Sequence, residues 1–387
     1  MKRISKIEKK YVLQCLNDQF RTSKGSYFTS LVEKKIKDLY NVKHAISHSN
    51  GTATLHNAIN SLGIDKDDEI IVPPLTMSST AISVLMNNSI PVFADVDMDT
   101  FNISPNSILN AITPKTKAIM AVSLYGLSPD YDEILKICNK YNLFLIEDNA
   151  ESFLSEYKGK LIGSFGNFSS FSFQSSKHLT CGEGGMLITN DDDLADRARR
   201  FSSLGYQGLK ESSKITKSDI QNPSYDRHVS LGFNYRMSEI QSSILLGQIE
   251  RSRKLVDRRI EVANLFMEAI DNCEFLKCQY VPDGYKNTWW TFSMILKTDS
   301  DIDWYRFREI FLNYGGDEYY AAWKLSYKEP LFLNMNDNRI WQKYNENICP
   351  NADYLQKKMI QLKTNYWNLK DAEKQVKILK KTIKKFK

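Results

Sequence analysis

From residue 44 to residue 148, short apolar runs alternate with stretches whose apolar residues recur at helical spacing. The runs are HAISHS, EIIVPP, PVFADVD, KAIMAVSL and LFLIED, beginning at residues 44, 69, 91, 117 and 143. This alternation is typical of βαβ units, because a helix returns the chain so that the next strand can run parallel to the last. The sequence therefore predicts an α/β fold with a large, mostly parallel sheet.

The rest of the chain has a different pattern. Residues 210–228 are polar and predict a mobile surface loop. Residues 237–270 keep helical apolar spacing throughout, which predicts one long helix. Further on, residues 288–296 are typical of a strand and residues 301–314 of a helix.

The size of the chain also bears on its organisation. It has 387 residues, 42% of them hydrophobic, which is more core-forming material than one small domain needs. We predict a large α/β domain over residues 1–250, including the N-terminal helices, and a small C-terminal α+β domain over residues 251–387.

The charge balance favours no nucleic-acid partner. The formal charge is +6, and much of the excess lies in residues 374–387, where apolar residues at helical spacing alternate with lysines. We interpret this stretch as a helix with a solvated face rather than a membrane or RNA contact. The sequence has neither the apolar core of a signal peptide nor a run of about 18 apolar residues. We expect a soluble, cytoplasmic protein that binds neither nucleic acid nor membrane.

The six cysteines are scattered, without CxxC pairs or histidines at metal-binding spacing. Free thiols in a reducing compartment, with no metal site, are the expected result. Cys181 lies near a lysine of interest, Lys177, and is expected to be a small filler rather than a nucleophile.

Polar residues follow two of the predicted strands. Gly51 and Thr52 come after the run at residue 44 and open a helix, so their amides and the hydroxyl could hold a phosphate; an ordinary turn with a helix cap is the alternative. Asp148 ends the run LFLIED, where a carboxylate loses hydration unless it meets a cation or several donors; a structural cap is again the alternative.

Lys177 lies in SFQSSKHLTCGEGG, residues 172–185, among small and polar residues. No carboxylate precedes Glu183 in that stretch, so the sequence predicts an amine without an acidic partner, which gives up its proton readily. Ser172 stands five residues before the lysine, and the glycines after it allow tight backbone packing.

A phosphate cradle, a buried carboxylate and an amine together indicate a pyridoxal phosphate pocket. Lys177 is expected to form the Schiff base and to shuttle protons. Asp148 is expected to keep the pyridine nitrogen protonated, so that the ring can store an electron pair.

The sequence is similar, over nearly its whole length, to the DegT/DnrJ/EryC1/StrS family of sugar-nucleotide aminotransferases. The glycine-threonine turn, the aspartate at a strand end, SFxxxK before GEGG, and a GxNYR segment occur together and in that order. The resemblance implies the fold of pyridoxal-phosphate-dependent transferases of type I. It implies Lys177 as the Schiff-base lysine, Asp148 as the pyridine partner, and Gly51, Thr52 and Ser172 as phosphate ligands.

The resemblance implies further site residues. Glu151 matches the position near the cofactor's phenolic oxygen, and Met77 replaces the usual aromatic ring with a thioether contact. Ser123 stands where a histidine is common. Asn234 is implied to reach the cofactor phosphate of a neighbouring subunit and Arg236 to hold an anionic substrate group, in a homodimer with shared active sites.

The resemblance also implies the reaction. An amino group would pass from L-glutamate to C4 of a nucleotide-linked 4-keto-6-deoxyhexose, giving a 4-amino-4,6-dideoxy sugar of the viosamine or perosamine type, for which Glu151 is a common feature. Tyr320 and Trp323 are candidate substrate contacts. A C3 aminotransferase, a pyridoxal-phosphate-dependent sugar dehydratase and a non-enzymatic regulatory module remain as alternatives. Related dehydratases have a histidine in place of the lysine, but here the spacing keeps Lys177, not His178, in register.

Overall fold

The computed structural model describes residues 1–18, 20, 26–207, 217–297, 302–335, 337–344 and 347–386. Its helices are α1 (Lys6–Asn17), α2 (Tyr27–Tyr40), α3 (Gly51–Ser61), α4 (Ser79–Met86), α5 (Pro105–Ala111), α6 (Tyr131–Tyr141), α7 (Asp192–Phe201), α8 (Lys217–Gln221), α9 (Glu239–Ile249), α10 (Ser252–Ile270), α11 (Trp304–Asn313), α12 (Pro330–Leu333), α13 (Pro350–Lys358) and α14 (Leu369–Lys384), with 3-10 turns at Leu124–Gly126 and Ser326–Lys328. Its strands are β1 (His44–His48), β2 (Glu69–Val72), β3 (Ile90–Phe93), β4 (Thr116–Val122), β5 (Phe144–Asp148), β6 (Glu156–Tyr157), β7 (Lys160–Leu161), β8 (Phe168–Ser172), β9 (Gly185–Thr189), β10 (Leu276–Cys278), β11 (Thr291–Leu296) and β12 (Met359–Lys363).

The large sheet has the strand order β1-β9-β8-β5-β4-β2-β3. β9 is antiparallel to both of its neighbours, while the other pairs are parallel. The carboxyl ends of β1, β5 and β8 therefore lie at one edge, beside the amino end of β9, where Gly185 pairs with His48 and Ser172. The predicted α/β fold with a large, mostly parallel sheet is confirmed.

Both faces of this sheet are buried, which explains the nearly continuous apolar runs. In β2, Ile70 and Val72 pack into one hydrophobic cluster and Ile71 into another on the opposite face. In β4, Ile119 and Met120 divide in the same way. Each such fully buried side chain contributes roughly 1.5–3 kcal/mol to stability.

The smaller sheet is antiparallel, with the order β10-β11-β12. The strand predicted within residues 288–296 is present as β11, and the helix predicted within residues 301–314 as α11. The C-terminal helix is also present as α14, whose Leu379 and Ile383 pack into the core of this region. The division of the chain near residue 250 remains a prediction.

The prediction of one helix over residues 237–270 is wrong, because α9 and α10 are separate helices. Between them Arg251 has φ −112° and ψ 7°, which is not helical backbone. Its guanidinium donates to Glu8 Oε1 at 2.6 Å and to the carbonyl oxygens of Lys2 and Arg3. Helical spacing cannot reveal this break, since it is fixed by residues about 240 positions away.

The structure describes only part of the predicted surface loop over residues 210–228. Residues 210–216 lie outside the described residues, and Lys217–Gln221 forms the short helix α8.

In the part of the chain that the structure describes, no helix is both long and apolar enough to cross a membrane.

Candidate active site

A cavity of about 320 Å³ opens at the carboxyl edge of the large sheet, within the usual range for small-molecule sites. Its wall brings together eight of the residues predicted from the sequence. These are Gly51, Thr52, Met77, Asp148, Glu151, Ser172, Lys177 and Trp323.

The turn between β1 and α3 presents amides and hydroxyls to this cavity. Asn50 caps α3, and its Oδ1 accepts from Ala53 N at 2.8 Å. Gly51 and Thr52 follow in the first turn, where backbone N–H groups have no helical partner. A Cβ on Gly51 would lie 2.9 Å from Ser172 Cβ, so the turn packs directly against the end of β8. The positive end of the helix dipole, with these donors, suits a phosphate dianion.

Asp148 ends β5 and is buried, with 3% of its surface exposed. Its Oδ2 accepts from Thr80 Oγ1 at 2.9 Å, and its Oδ1 accepts from Ala150 N at 3.2 Å. Burial raises the pKa of Asp148, although these two donors and the charge of Lys177 oppose the increase. A cation placed against this carboxylate would favour its ionised form.

Lys177 has an acidic partner, contrary to the prediction from its neighbours in sequence. Its Nζ donates to Glu151 Oε1 at 3.1 Å, and both side chains are largely buried. Glu151 Oε2 also accepts from Tyr125 N at 3.2 Å. The ring of Trp290 lies 4.5 Å from the same ammonium, at a distance that allows a cation–π contact.

The sheet topology explains why residues 172–185 alone did not reveal the pairing of Lys177 with Glu151. Glu151 follows β5 and Lys177 follows β8, and these strands are parallel neighbours in the sheet. Loops that leave the same edge of adjacent strands meet, although the two residues are 26 positions apart. The amine is therefore held by a carboxylate rather than isolated in a neutral pocket.

Other residues near the motif serve packing. His178 is buried, its Nε2 donates to the Thr288 carbonyl oxygen at 2.9 Å, and burial lowers its pKa well below the usual value. Ser123 is also buried and donates to Asn149 Oδ1 at 2.7 Å. All six cysteines have free thiols, and burial raises the pKa of Cys181 to about 12, which fits a filler.

Three predicted site residues are not brought to the cavity by a single chain. Asn234 and Arg236 are exposed. The backbone carbonyl oxygen of Tyr235, which stands between them, accepts from Ser49 N at 2.6 Å, beside the turn between β1 and α3 that forms the phosphate cradle. Tyr320 is 71% exposed and lines a separate surface groove. Asn234, Arg236 and Tyr320 are thus absent from the cavity wall that the described residues form.

Sequence reasoning also missed three residues that support the site. Thr80 lies in the first turn of α4, which follows β2. The carboxyl end of β2 meets the same edge, so a hydroxyl there could have been predicted to face Asp148. Trp290 precedes a strand of the other sheet, and no local pattern indicates its position. Arg259 gives a signal in the sequence, since this charged residue falls on the apolar face of the predicted helix.

An amine, a buried carboxylate and a phosphate cradle around one cavity of an α/β sheet define the site of a pyridoxal phosphate enzyme. The residues present fit this cofactor, because the turn at Gly51 leaves backbone amides accessible and Asp148 is buried where a ring cation would balance it. Residues 2–380 match the DegT/DnrJ/EryC1/StrS aminotransferase family. The chain belongs to this family of pyridoxal-phosphate-dependent aminotransferases, and the predicted family, enzyme class and cofactor are confirmed.

The chain is similar to two curated enzymes and to a solved structure. It is 38% identical to the GDP-perosamine synthase of Escherichia coli O157:H7 over 291 residues, which cover 75% of each chain. It is 42% identical to the GDP-perosamine synthase of Caulobacter vibrioides over 244 residues, 63% of this chain and 62% of that one. The aminotransferase from Psychrobacter cryohalolentis superposes with a TM-score of 0.88 at 27% identity, covering 99% of this chain and 98% of the other.

Proposed function

We propose that this protein transfers an amino group from L-glutamate to C4 of a nucleotide-linked 4-keto-6-deoxyhexose. The product would be a 4-amino-4,6-dideoxy sugar of the perosamine or viosamine type. The observation that carries the proposal is that Lys177, Asp148 and Glu151 share one cavity with a phosphate cradle. The likeness to two GDP-perosamine synthases supports the sugar class and makes GDP the first nucleotide to test.

Different cavity residues would bind different parts of the cofactor. Gly51, Thr52 and Ser172 would bind its phosphate, Asp148 its ring nitrogen, and Lys177 its aldehyde carbon. When bound, pyridoxal phosphate supplies an electron-withdrawing ring that stores the electron pair left when a carbon loses its proton.

The remaining chemistry is proton movement by the chain's own side chains. With the cofactor bound, the Lys177 amine would be the base that moves a proton between carbon atoms at the site. Glu151, 3.1 Å from Lys177 Nζ, orients that amine and can accept its proton. Asp148 supplies the negative charge that keeps the ring nitrogen protonated.

The dehydratase alternative is less well supported. A dehydratase of the related type has a histidine in place of the lysine, and here the cavity wall holds Lys177. His178 is tied to the Thr288 carbonyl oxygen by its Nε2. The geometry thus favours a lysine as the proton carrier, which supports transamination.

We further propose a homodimer in which segment 231–237 completes the site of the neighbouring subunit. Asn234 would donate to the cofactor phosphate there, and Arg236 would hold an anionic substrate group. Within one chain Trp323 lies at the cavity wall and would contact the sugar. Tyr320, in its separate groove, would reach substrate only at an outer position.

The experiment offers the purified protein a panel of GDP-, dTDP- and UDP-linked 4-keto-6-deoxyhexoses with nitrogen-labelled glutamate. Mass spectrometry should find the label in the nucleotide sugar, and nuclear magnetic resonance should place the amine at C4. An amine at C3 would support the C3 alternative. Loss of a hydroxyl without gain of nitrogen would support the dehydratase, and no conversion of any sugar would contradict the proposal.

A further inference from the structure

The backbone at Lys177 is held by side chains from three distant parts of the chain. Arg259 Nη2 donates to the carbonyl oxygens of Ser176 and Lys177, at 2.9 and 3.0 Å. Arg3 Nη2 donates to the same Lys177 oxygen at 2.7 Å. Trp290 Nε1 donates to the Ser176 oxygen at 3.0 Å. These bonds fix the peptide from which the lysine side chain extends.

Arg259 also holds the residue that the amine faces. Its Nη1 donates to the Trp290 carbonyl oxygen at 2.7 Å and to Thr364 Oγ1 at 3.1 Å. The guanidinium thus ties the Lys177 backbone to the Trp290 backbone, while Lys177 Nζ lies 4.5 Å from the Trp290 ring. The Arg259 guanidinium therefore positions both the backbone of Lys177 and the residue that the Lys177 amine faces.

The chemistry of Arg259 suits this task and little else. It is 1% exposed, and the acceptors that its guanidinium reaches among the described residues are neutral oxygens. Burying a guanidinium without a carboxylate is unfavourable, and burial lowers the pKa of Arg259 to about 9. A lysine could not replace it, because only the planar fork places donors on two backbone segments at once.

We infer that Arg259 and Arg3 are positioning residues for Lys177, which clamp its carbonyl oxygen so that Nζ is directed between Glu151 and Trp290. The inference rests on the proposed function, since it assumes that Lys177 attaches to the cofactor. Arg259 is the main element, because its guanidinium donates to both backbone segments, whereas the Arg3 guanidinium donates to the Lys177 oxygen and otherwise lies against the Trp367 ring.

The test measures how fast the cofactor-free protein attaches pyridoxal phosphate. In this step the Lys177 nitrogen bonds to the aldehyde carbon and the aldehyde oxygen leaves as water, and a visible absorption band reports the product. Arg259→Lys should slow attachment on the order of 10- to 100-fold, because the Lys177 amine is no longer held in the orientation that reacts with the aldehyde. Arg258→Lys is the matched control on the same helix, where Arg258 pairs with Glu261, and its rate should stay within about twofold of wild type.

A second readout separates positioning from general damage. Pyridoxamine phosphate has an amine in place of the aldehyde and cannot bond to the lysine, so it reports the cradle alone. Its affinity for Arg259→Lys should stay within about threefold of wild type. A parallel loss of affinity and attachment rate would overturn the inference in favour of a merely structural role.

Arg3→Gln keeps the inference testable if Arg259→Lys does not fold. This variant removes one donor from the Lys177 oxygen and should slow attachment by a smaller factor, about 3- to 10-fold, with pyridoxamine phosphate affinity unchanged. Attachment at the wild-type rate in every folded variant would overturn the inference while leaving the proposed function intact. Failure of the wild-type protein to attach the cofactor would instead overturn the proposed function, and this inference with it.

Discussion

The cavity and segment 231–237 both contain residues predicted for one site, but a single chain assembles only the cavity. Gly51, Asp148 and Lys177 follow strands that share one sheet edge, so the fold itself brings them together. Segment 231–237 lies beside the cradle turn, yet Leu231 is 79% exposed and the predicted phosphate donor faces outward.

The difference separates two ways of building a site. In the cavity, side chains are placed by strand order and buried contacts. In the segment, Leu231 and Phe233 are large apolar side chains left exposed in one chain, and Asn234 stands next to them. This arrangement suits a surface that functions against a second copy.

Replacing Lys177 should have the largest effect. Lys177→Ala removes both the attachment point and the proton carrier, so turnover should fall on the order of 10⁴-fold or more. The variant should still bind pyridoxamine phosphate, because the cradle at Gly51 and Ser172 is untouched. Steady-state assay and equilibrium binding check the two statements, and multiple turnovers at the wild-type rate would contradict the assignment.

Asp148→Asn keeps the shape of the cavity and removes its charge. We expect kcat to fall on the order of 10²- to 10⁴-fold, because a neutral amide does not hold the ring nitrogen protonated. A change smaller than about threefold would make Asp148 a structural cap.

Glu147 is a matched control on the same strand. Its carboxylate is also buried, but it accepts from the amides of Gly163, Phe165 and Gly166 instead of facing the cavity. Glu147→Gln should lower the free energy of unfolding by roughly 1–3 kcal/mol. Its kcat should remain near that of wild type, which distinguishes loss of charge at the site from loss of a buried carboxylate.

Subunit mixing tests the segment directly. Asn234→Asp should impair the site strongly, because the new charge repels the cofactor phosphate. Mixed with Lys177→Ala, it should give hybrid dimers with one normal site, and random pairing should restore about a quarter of wild-type activity. A monomer at assay concentration, or no recovery after verified subunit exchange, would contradict the shared site.

The smallest effect on turnover should come from His48, which ends β1 just before the cradle. Its Nδ1 donates to the Ile46 carbonyl oxygen and its Nε2 accepts from Asn57, and burial lowers its pKa to about 4. Below pH 6.5 the unfolded chain gains a proton that the folded chain does not take up until about pH 4. Stability should therefore fall as pH decreases through this window, by on the order of 3 kcal/mol from this residue.

Denaturant titrations of wild type and His48→Gln between pH 7 and pH 4 measure this contribution. The variant should lose less stability over the same window, with kcat at neutral pH close to that of wild type. Equal losses in the two proteins would show that His48 is not the group responsible.

The sequence allowed prediction of the parts whose placement follows from local pattern and strand direction. The sheet, the cradle turn and the position of Asp148 all follow from apolar runs and from the rule that parallel strands end at one edge. The pairing of Lys177 with Glu151 could not be predicted in this way, because it depends on which strands are neighbours. The break at Arg251 depends on contacts with the N-terminal residues, and the exposure of Asn234 depends on the packing of the whole chain.

The most direct test of the central claim, that Lys177 is the residue to which the cofactor attaches, is chemical trapping. Borohydride reduction of the cofactor-loaded protein, followed by peptide mass spectrometry, identifies the lysine that carries the label. We predict a single labelled peptide with the modification on Lys177, and no labelled peptide from Lys177→Ala. Label on a different lysine in a protein that retains full transaminase activity would contradict the account.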